Sequence, residues 1–349
     1  MLKSAMTTTK PVVLRLGKVA YAQDAWKELE KIATVIVDDS KDRADFLANL
    51  NGKYKDLGVK YITRTFASAN VTGLFDQELI KNLPDSVISV SHCGAGYDQV
   101  DPHALTERGI QLSNVPNLVN DATADTHVFL LLGALRSFSE GQRRLLRGEW
   151  PSGGACAGTA VANDPTGKVV GILGMGGIGR NILSKLKPFG FEKFIYHNRK
   201  KLAPELEAGA EYVTFDELLA QSDILSVNIP LNKNTHHILN KEAFAKMKKG
   251  IVVVNTARGG VIDETAFIEA LKDGTVRSAG LDVMENEPNV NLELASLPNV
   301  LALPHMGTNT YETIKSMEEF IVENVTKVIE TGHVISLVPE QESVKFEKK

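Results

Sequence analysis

Short β-branched, apolar runs alternate along this chain with stretches whose apolar residues recur every three to four positions. The first kind reads as buried strands and the second as amphipathic helices. From the N-terminal side, PVVLRLG (11–17), TVIVDD (34–39), VKYITR (59–64) and DSVISVSH (85–92) are strand-like, with helical AQDAWKELEKIA and RADFLANL between them. A second β/α alternation begins near residue 168 and runs through EKFIYHNR, AEYVTF, SDILSVNIP, GIVVVNTA, TVRSAGLDV and NVLALPH. It predicts about seven strands in a doubly wound sheet. Between the two series lies a long helical pattern from Asp121 to about Leu146, with Asn120 as its expected N-cap, then the Gly/Pro/Ala-rich GEWPSGGACAGTAVANDPTG, read as a loop or arm. A last helix over roughly Thr310–Thr331 precedes VISLVP, a short strand-like run expected to pair back onto the first series.

Within the second series, KVVGILGMGGIGRNILSKL (168–186) is a strand, a glycine-rich turn and a helix. A lone GxGxxG is weak, but this context is that of a turn holding a dinucleotide pyrophosphate at a helix N-terminus. Gly174 permits the tight turn, Gly176 lets the backbone approach the phosphates, and Gly179 brings helix and strand together, with Gly177 and Ile178 in the same turn. At the end of the next strand, where NAD-binding folds offer an acid to the ribose 2′-hydroxyl, stand Asn198, Arg199 and Lys200. An amide and two cations there favour a 2′-phosphate, so NADP(H) is expected to be preferred over NAD(H).

Three later segments, NTARGG (255–260), LDVMENEP (281–288) and ALPHMG (302–307), each follow a strand-like run and place Arg258, Glu287 and His305 near strand ends. In a parallel α/β sheet those ends form the ligand crevice. Singly, each residue has an ordinary explanation: a helix cap, an exposed loop acid, a satisfied histidine. Together above a nucleotide turn they fit 2-oxo acid reduction. Histidine donates a proton to the oxygen as hydride reaches carbon, the carboxylate orients the ring and favours its charged form, and arginine grips the substrate carboxylate and carbonyl.

The 349 residues fit two domains, and 43% hydrophobic with 23% charged residues is ordinary globular composition. A net charge of −4 argues against general nucleic-acid binding. Two cysteines, Cys93 and Cys156, give no disulfide framework and suit a reducing, cytoplasmic setting. No window approaches a membrane span, the start MLKSAMTTTK reads as a frayed end, and the charged EQESVKFEKK reads as a disordered tail. His236 and His237 are assigned no metal, because neighbouring histidines on an extended chain point apart and no third ligand is near in sequence. Cys93 reads as a packed thiol and RRLLRG (143–148) as the charged end of a helix. Trp150, on the arm, suggests an interface anchor and a homodimer.

With CGAGYDQVD (93–101), TADTHVFLLLGALR, GILGMGGIGR, NTARGGVIDE, LDVMENEP and LPHMGT in place, the chain resembles the D-isomer-specific 2-hydroxyacid dehydrogenase family over nearly its whole length, and within it the fungal glyoxylate reductases. The resemblance implies that Arg258, Glu287 and His305 are catalytic and that amides of the Gly94, Ala95, Gly96 loop hold the substrate carboxylate. It implies further that Pro230, Thr235, Ala257, Asp282, His305 and Gly307 lie along the cofactor, with Asp282 helping to place the nicotinamide carboxamide. The expected fold is α/β with two doubly wound parallel-sheet domains: a Rossmann-type cofactor domain (119–310, with a dimerisation arm near 137–165) inserted in a flavodoxin-like substrate domain (1–118 and 311–349), two helices crossing at the hinge. The implied activity is NAD(P)H-dependent reduction of glyoxylate to glycolate, with hydroxypyruvate to D-glycerate as a second reaction. Two alternatives stand beside it: another D-2-hydroxyacid dehydrogenase such as phosphoglycerate dehydrogenase, for which no extra cationic cluster is evident, and a nucleotide-sensing corepressor-like module, which fold alone does not exclude.

Overall fold

The computed structural model describes residues 10–346, which form two compact units. One holds the chain up to Leu118 together with residues from Thr310 onward, and the other is Val119–Asn309. The N-terminal end read as frayed, residues 1–9, lies outside the described residues, as do the last three positions.

The first unit is built on a five-stranded sheet of β1 (Val12–Leu16), β2 (Thr34–Val37), β3 (Val59–Thr65), β4 (Ser89–Cys93) and β5 (Gln111–Ser113), ordered β2-β1-β3-β4-β5 with every pair parallel. That is the flavodoxin-like strand order. Leu14, Ile62, Val90 and Leu112 pair in register across four strands and are fully buried. Each such side chain contributes about 1.5–3 kcal/mol by leaving water, so a one-residue slip would cost the whole row. The helix Tyr311–Thr331 belongs to this unit; Thr310 caps its start by accepting from the Thr313 amide, and Gly332 ends it at φ 85°.

The second unit carries seven parallel strands: β6 (Val169–Leu173), β7 (Lys193–His197), β8 (Glu211–Tyr212), β9 (Ile224–Val227), β10 (Ile251–Asn255), β11 (Val276–Leu281) and β12 (Val300–Ala302). Their order is β12-β11-β10-β9-β6-β7-β8. The chain leaves β6 towards β7 and β8 on one side and returns to place β9 on the other. This reversal is the switch point of a Rossmann sheet, where ligands bind beyond the strand C-termini.

Four readings change. β5 escapes a hydrophobicity argument because Gln111 and Ser113, though buried, are polar; Gln111 donates to the Gly332 carbonyl and accepts from the Val334 amide. The expected long helix is two, Asn120–Leu135 and Phe138–Leu146, separated at Ser137 (φ 53°), and its N-cap is Val119, with Asn120 inside the first turn. VISLVP forms a single antiparallel bridge, Ser113 to Leu337, rather than a strand. The tail is not disordered through residue 346: Gln341 is fully buried, accepts from the Leu112 amide and donates to the Thr106 hydroxyl and Ile110 carbonyl. A glutamine serving two backbone groups and a hydroxyl has no periodic signature. No helix among the described residues is long and apolar enough to cross a membrane.

Candidate active site

The glycine turn follows β6 directly. Gly174 adopts φ 93°, a region costly to any side chain, and a Cβ there would come within 2.8 Å of the Asn228 carbonyl beyond β9. A Cβ on Gly179 would overlap the Gly174 carbonyl, so the helix Gly177–Leu186 can sit against the turn only with glycine there. Gly176, the N-cap of that helix, has nothing within 4 Å of where a Cβ would be, and Ile178 follows in the first turn. The result is an open approach to amides at a helix N-terminus, which fits a dinucleotide pyrophosphate. Just beyond β7, the Asn198 side-chain oxygen accepts from the Met175 amide, 2.7 Å, tying the ribose-end loop to the turn. Arg199 and Lys200 beside it are exposed. Past β9, the Thr235 hydroxyl donates to the Pro230 carbonyl, 2.6 Å, and closes the 230–235 turn.

Arg258, Glu287 and His305 come from the ends of β10, β11 and β12. His305 sits at φ 53°, its Nδ1 2.6 Å from a Glu287 carboxylate oxygen. The other oxygen of Glu287 accepts from the Met284 amide at 2.9 Å. Burial raises the Glu287 pKa, but the His305 hydrogen bond and charge, the Met284 amide and the Arg258 charge outweigh it, so the carboxyl is held below its ordinary 4.5. It is therefore ionised at neutral pH. Because the folded pKa is lowered, this carboxylate's stabilising contribution is present above pH of about 4.5 and fades as pH falls through the lowered value.

Backbone ties hold the three loops. Asp282, nearly fully buried, accepts from the Met306 amide at 2.6 Å and the Gly307 amide at 2.8 Å, while the His305 amide donates to the Asp282 carbonyl, so one residue shapes the loop that presents His305. Asn255 accepts from the Ala257 amide and donates to the Arg258 carbonyl. A Cβ on Gly259 would overlap the Met284 and Glu285 backbone, so the arginine loop lies directly on the glutamate loop.

Sequence reasoning missed a buried chain beneath this site. His127 is fully buried on the helix Asn120–Leu135; its ring nitrogens meet the Thr256 and Ser226 hydroxyls, both at 2.8 Å, and Asn228 donates to Ser226. Burial pushes the His127 pKa down to about 3, so the ring is neutral. Thr256 stands two residues before Arg258. The only available signal was a polar residue inside an apolar helical run.

In the other unit, the 94–96 loop follows β4. Arg64, fully buried, lies 3.1 Å from His92 Nδ1. Arginine can only donate, so Nδ1 accepts and Nε2–H donates to the Gly96 carbonyl, 2.9 Å. The Gly94 amide is already donated to the His92 carbonyl. Cys93 is pushed up to about 12 by burial, in keeping with a packed thiol.

The geometry expected for His236 and His237 changes. His237 adopts φ 50°, not an extended conformation, so the His236 and His237 rings stack at 3.8 Å instead of diverging. Glu285, distant in sequence, reaches His237 Nε2 at 2.6 Å as the missing third group.

The family profile described as "D-isomer specific 2-hydroxyacid dehydrogenase, NAD binding domain" matches residues 128–307. The chain is 57% identical to glyoxylate reductase 1 of Saccharomyces cerevisiae, covering 95% of each protein. This chain belongs to the D-isomer-specific 2-hydroxyacid dehydrogenase family. It is also similar to 4-methyl-2-oxopentanoate reductase A of Aspergillus oryzae, at 48% identity over 96% of this chain and 99% of that protein. A crystal structure of a glyoxylate reductase from Paecilomyes thermophila superposes with a TM-score of 0.91 at 47% identity, covering 95% of this chain and 99% of that one. As a member of this dehydrogenase family the protein is an oxidoreductase acting on CH–OH donors, with a Rossmann NAD-binding domain.

Proposed function

We propose that this 2-hydroxyacid dehydrogenase reduces glyoxylate to glycolate with NADPH in preference to NADH, and hydroxypyruvate to D-glycerate as a second activity. The observation that carries the chemistry is the His305–Glu287 pair at 2.6 Å, with Arg258 close enough to lower the glutamate pKa. When bound, the dihydronicotinamide supplies a hydride to the carbonyl carbon. Because Nδ1 of His305 faces Glu287, Nε2 is the atom that gives its proton to the carbonyl oxygen, leaving the ring neutral until solvent reprotonates it. Arg258 offers paired N–H donors to the carboxylate and carbonyl oxygens, stabilising the charge that develops as hydride arrives. Amides of Ala95 and Gly96, neither of which has an acceptor among the described residues, are the donors left for the substrate carboxylate once Gly94 is spent on His92.

Removing the carboxylate of Glu287 as Gln withdraws the charge that favours imidazolium. The expected result is that the alkaline limb of the kcat/KM profile for reduction moves to lower pH, while KM for NADPH is unchanged; an unmoved limb would separate Glu287 from proton transfer.

The NADPH preference rests on Arg199 and Lys200, exposed at the ribose end with no ion pair among the described residues, and on the lack of an acid at Asn198. Arg199→Ala is expected to raise KM for NADPH by about 10- to 100-fold while sparing NADH, since one charge-assisted phosphate contact is worth about 1.5–3 kcal/mol. Equal effects on both cofactors would remove Arg199 from the ribose end.

The glyoxylate assignment is supported by the names borne by two of these relatives, and the Aspergillus enzyme's name makes a larger 2-oxo acid the competing substrate. The test is kcat/KM for glyoxylate, hydroxypyruvate, 4-methyl-2-oxopentanoate and phosphohydroxypyruvate with each cofactor. Glyoxylate leading with NADPH supports the reading, and a branched or phosphorylated acid leading refutes the substrate. A homodimer is supported by apolar side chains exposed along the arm, including Phe138, Leu146 at 78% exposure and Trp150 at 58%. Trp150→Asp is expected to convert a dimer to a monomer in sedimentation velocity; a monomeric parent would refute the assembly.

A further inference from the structure

We propose that His236, His237 and Glu285 form a binding site for a divalent cation of the zinc class, built from the Glu287 loop and a turn tied to the Arg258 loop. Two imidazole nitrogens and one carboxylate oxygen all lie within 4.8 Å of one another. A tetrahedral zinc with bonds of about 2.0–2.2 Å holds its ligand atoms roughly 3.3–3.6 Å apart. The His237–Glu285 pair, at 2.6 Å, would open slightly and the His236 ring would swing inward. His236 is exposed while His237 and Glu285 are half-buried, so an ion has a route in and a fourth position for water. Imidazole and carboxylate together suit zinc, nickel or copper better than the hard cations magnesium or calcium.

The backbone holds two of these ligands in place. His237 is fixed in its left-handed conformation by its amide donating to the Gly260 carbonyl at 2.9 Å, with the next tie from the Leu239 amide to Val261. The Glu285 amide donates to a carboxylate oxygen of Glu264, 2.7 Å. Glu264 thereby ties the backbone of the Glu285 segment in place. Glu285 stands two residues from Glu287, and Gly259 packs on its backbone, so an ion that pushes Glu285 and His237 apart displaces the segment presenting Glu287. The bound ion therefore slows reduction. That consequence rests on the proposed function; binding itself does not.

The test uses the full chain without an affinity tag, in a Cys156→Ser background because Cys156 is an exposed thiol. Zinc chloride is titrated against a chromogenic chelator with no substrate present. The expected result is one tight equivalent, weakened by at least about 10–100-fold, the cost of losing even a hydrogen-bond partner of a ligand, by Glu285→Gln and by His236→Asn, with circular dichroism of both variants matching the parent. Zinc should also raise the unfolding temperature of the parent but not of the variants. No tight equivalent, or equal affinity in parent and variants, overturns the site. In the coupled assay zinc should slow glyoxylate reduction in the parent and leave His236→Asn unaffected. Zinc bound without loss of turnover overturns the inhibitory coupling, whereas a parent that binds zinc yet never turns over any 2-oxo acid refutes the proposed function and leaves the site standing.

Discussion

His305→Asn is expected to lower kcat for 2-oxo acid reduction by about 10²–10⁴-fold, the range lost when a positioned general acid is removed. Asparagine is smaller than histidine and cannot deliver a proton, yet it keeps a polar group on a loop whose shape depends on Asp282 rather than on the ring. The amides of His305, Met306 and Gly307 all donate to Asp282, so the loop should survive. KM for NADPH and the dissociation constant of the cofactor should therefore remain within about twofold, because contacts made equally in ground and transition states are retained. The split between kcat and cofactor binding is the diagnostic. Stopped-flow reduction at saturating cofactor measures it free of product release, and a variant with its full rate would remove His305 from the proton transfer.

Arg258→Lys is expected to cost about 10²–10³-fold in kcat/KM, with both parameters affected. Charge is conserved in this substitution, so a purely electrostatic role predicts a small effect. The planar fork matters because two N–H donors must meet two oxygens at once, and an ammonium on a flexible stem aligns only one well. Loss of a donor aimed at developing oxyanion charge typically costs about 2.7–4 kcal/mol. The substitution has a second, smaller consequence. Arg258 helps hold the Glu287 carboxyl below its ordinary value, and a lysine placed farther away would do so less. A kcat/KM within a few-fold of the parent would mean that Arg258 is a structural residue of the loop it caps.

Strand and helix alternation was legible because each sheet is covered on both faces, which makes its central strands continuous apolar runs such as VVGIL and IVVV. Residues whose burial is polar were invisible to the same reasoning. Gln111, Gln341 and Asn324 are each buried and satisfied by backbone groups from distant segments, and nothing in the local pattern distinguishes them from loop residues. The site divides in the same way. Arg258, Glu287 and His305 were found because strand ends in a parallel sheet share one edge, so three reactive residue types at three strand ends can be placed together without coordinates. The residues beneath them depend on distances that no linear spacing encodes. His127 reaches Thr256 and Ser226 across the sheet, and Glu285 reaches His237 across two loops. The histidine pair differs from the extended geometry expected of it because His237 lies in the left-handed region.

The most direct test of the central claim follows the loss of NADPH absorbance with glyoxylate, for the parent and His305→Asn side by side, with cofactor binding measured separately by fluorescence. The expected result is turnover by the parent, a loss of about 10²-fold or more in the variant, and equal NADPH binding in both. A parent that binds NADPH but turns over no glyoxylate, or a variant as fast as the parent, would contradict it.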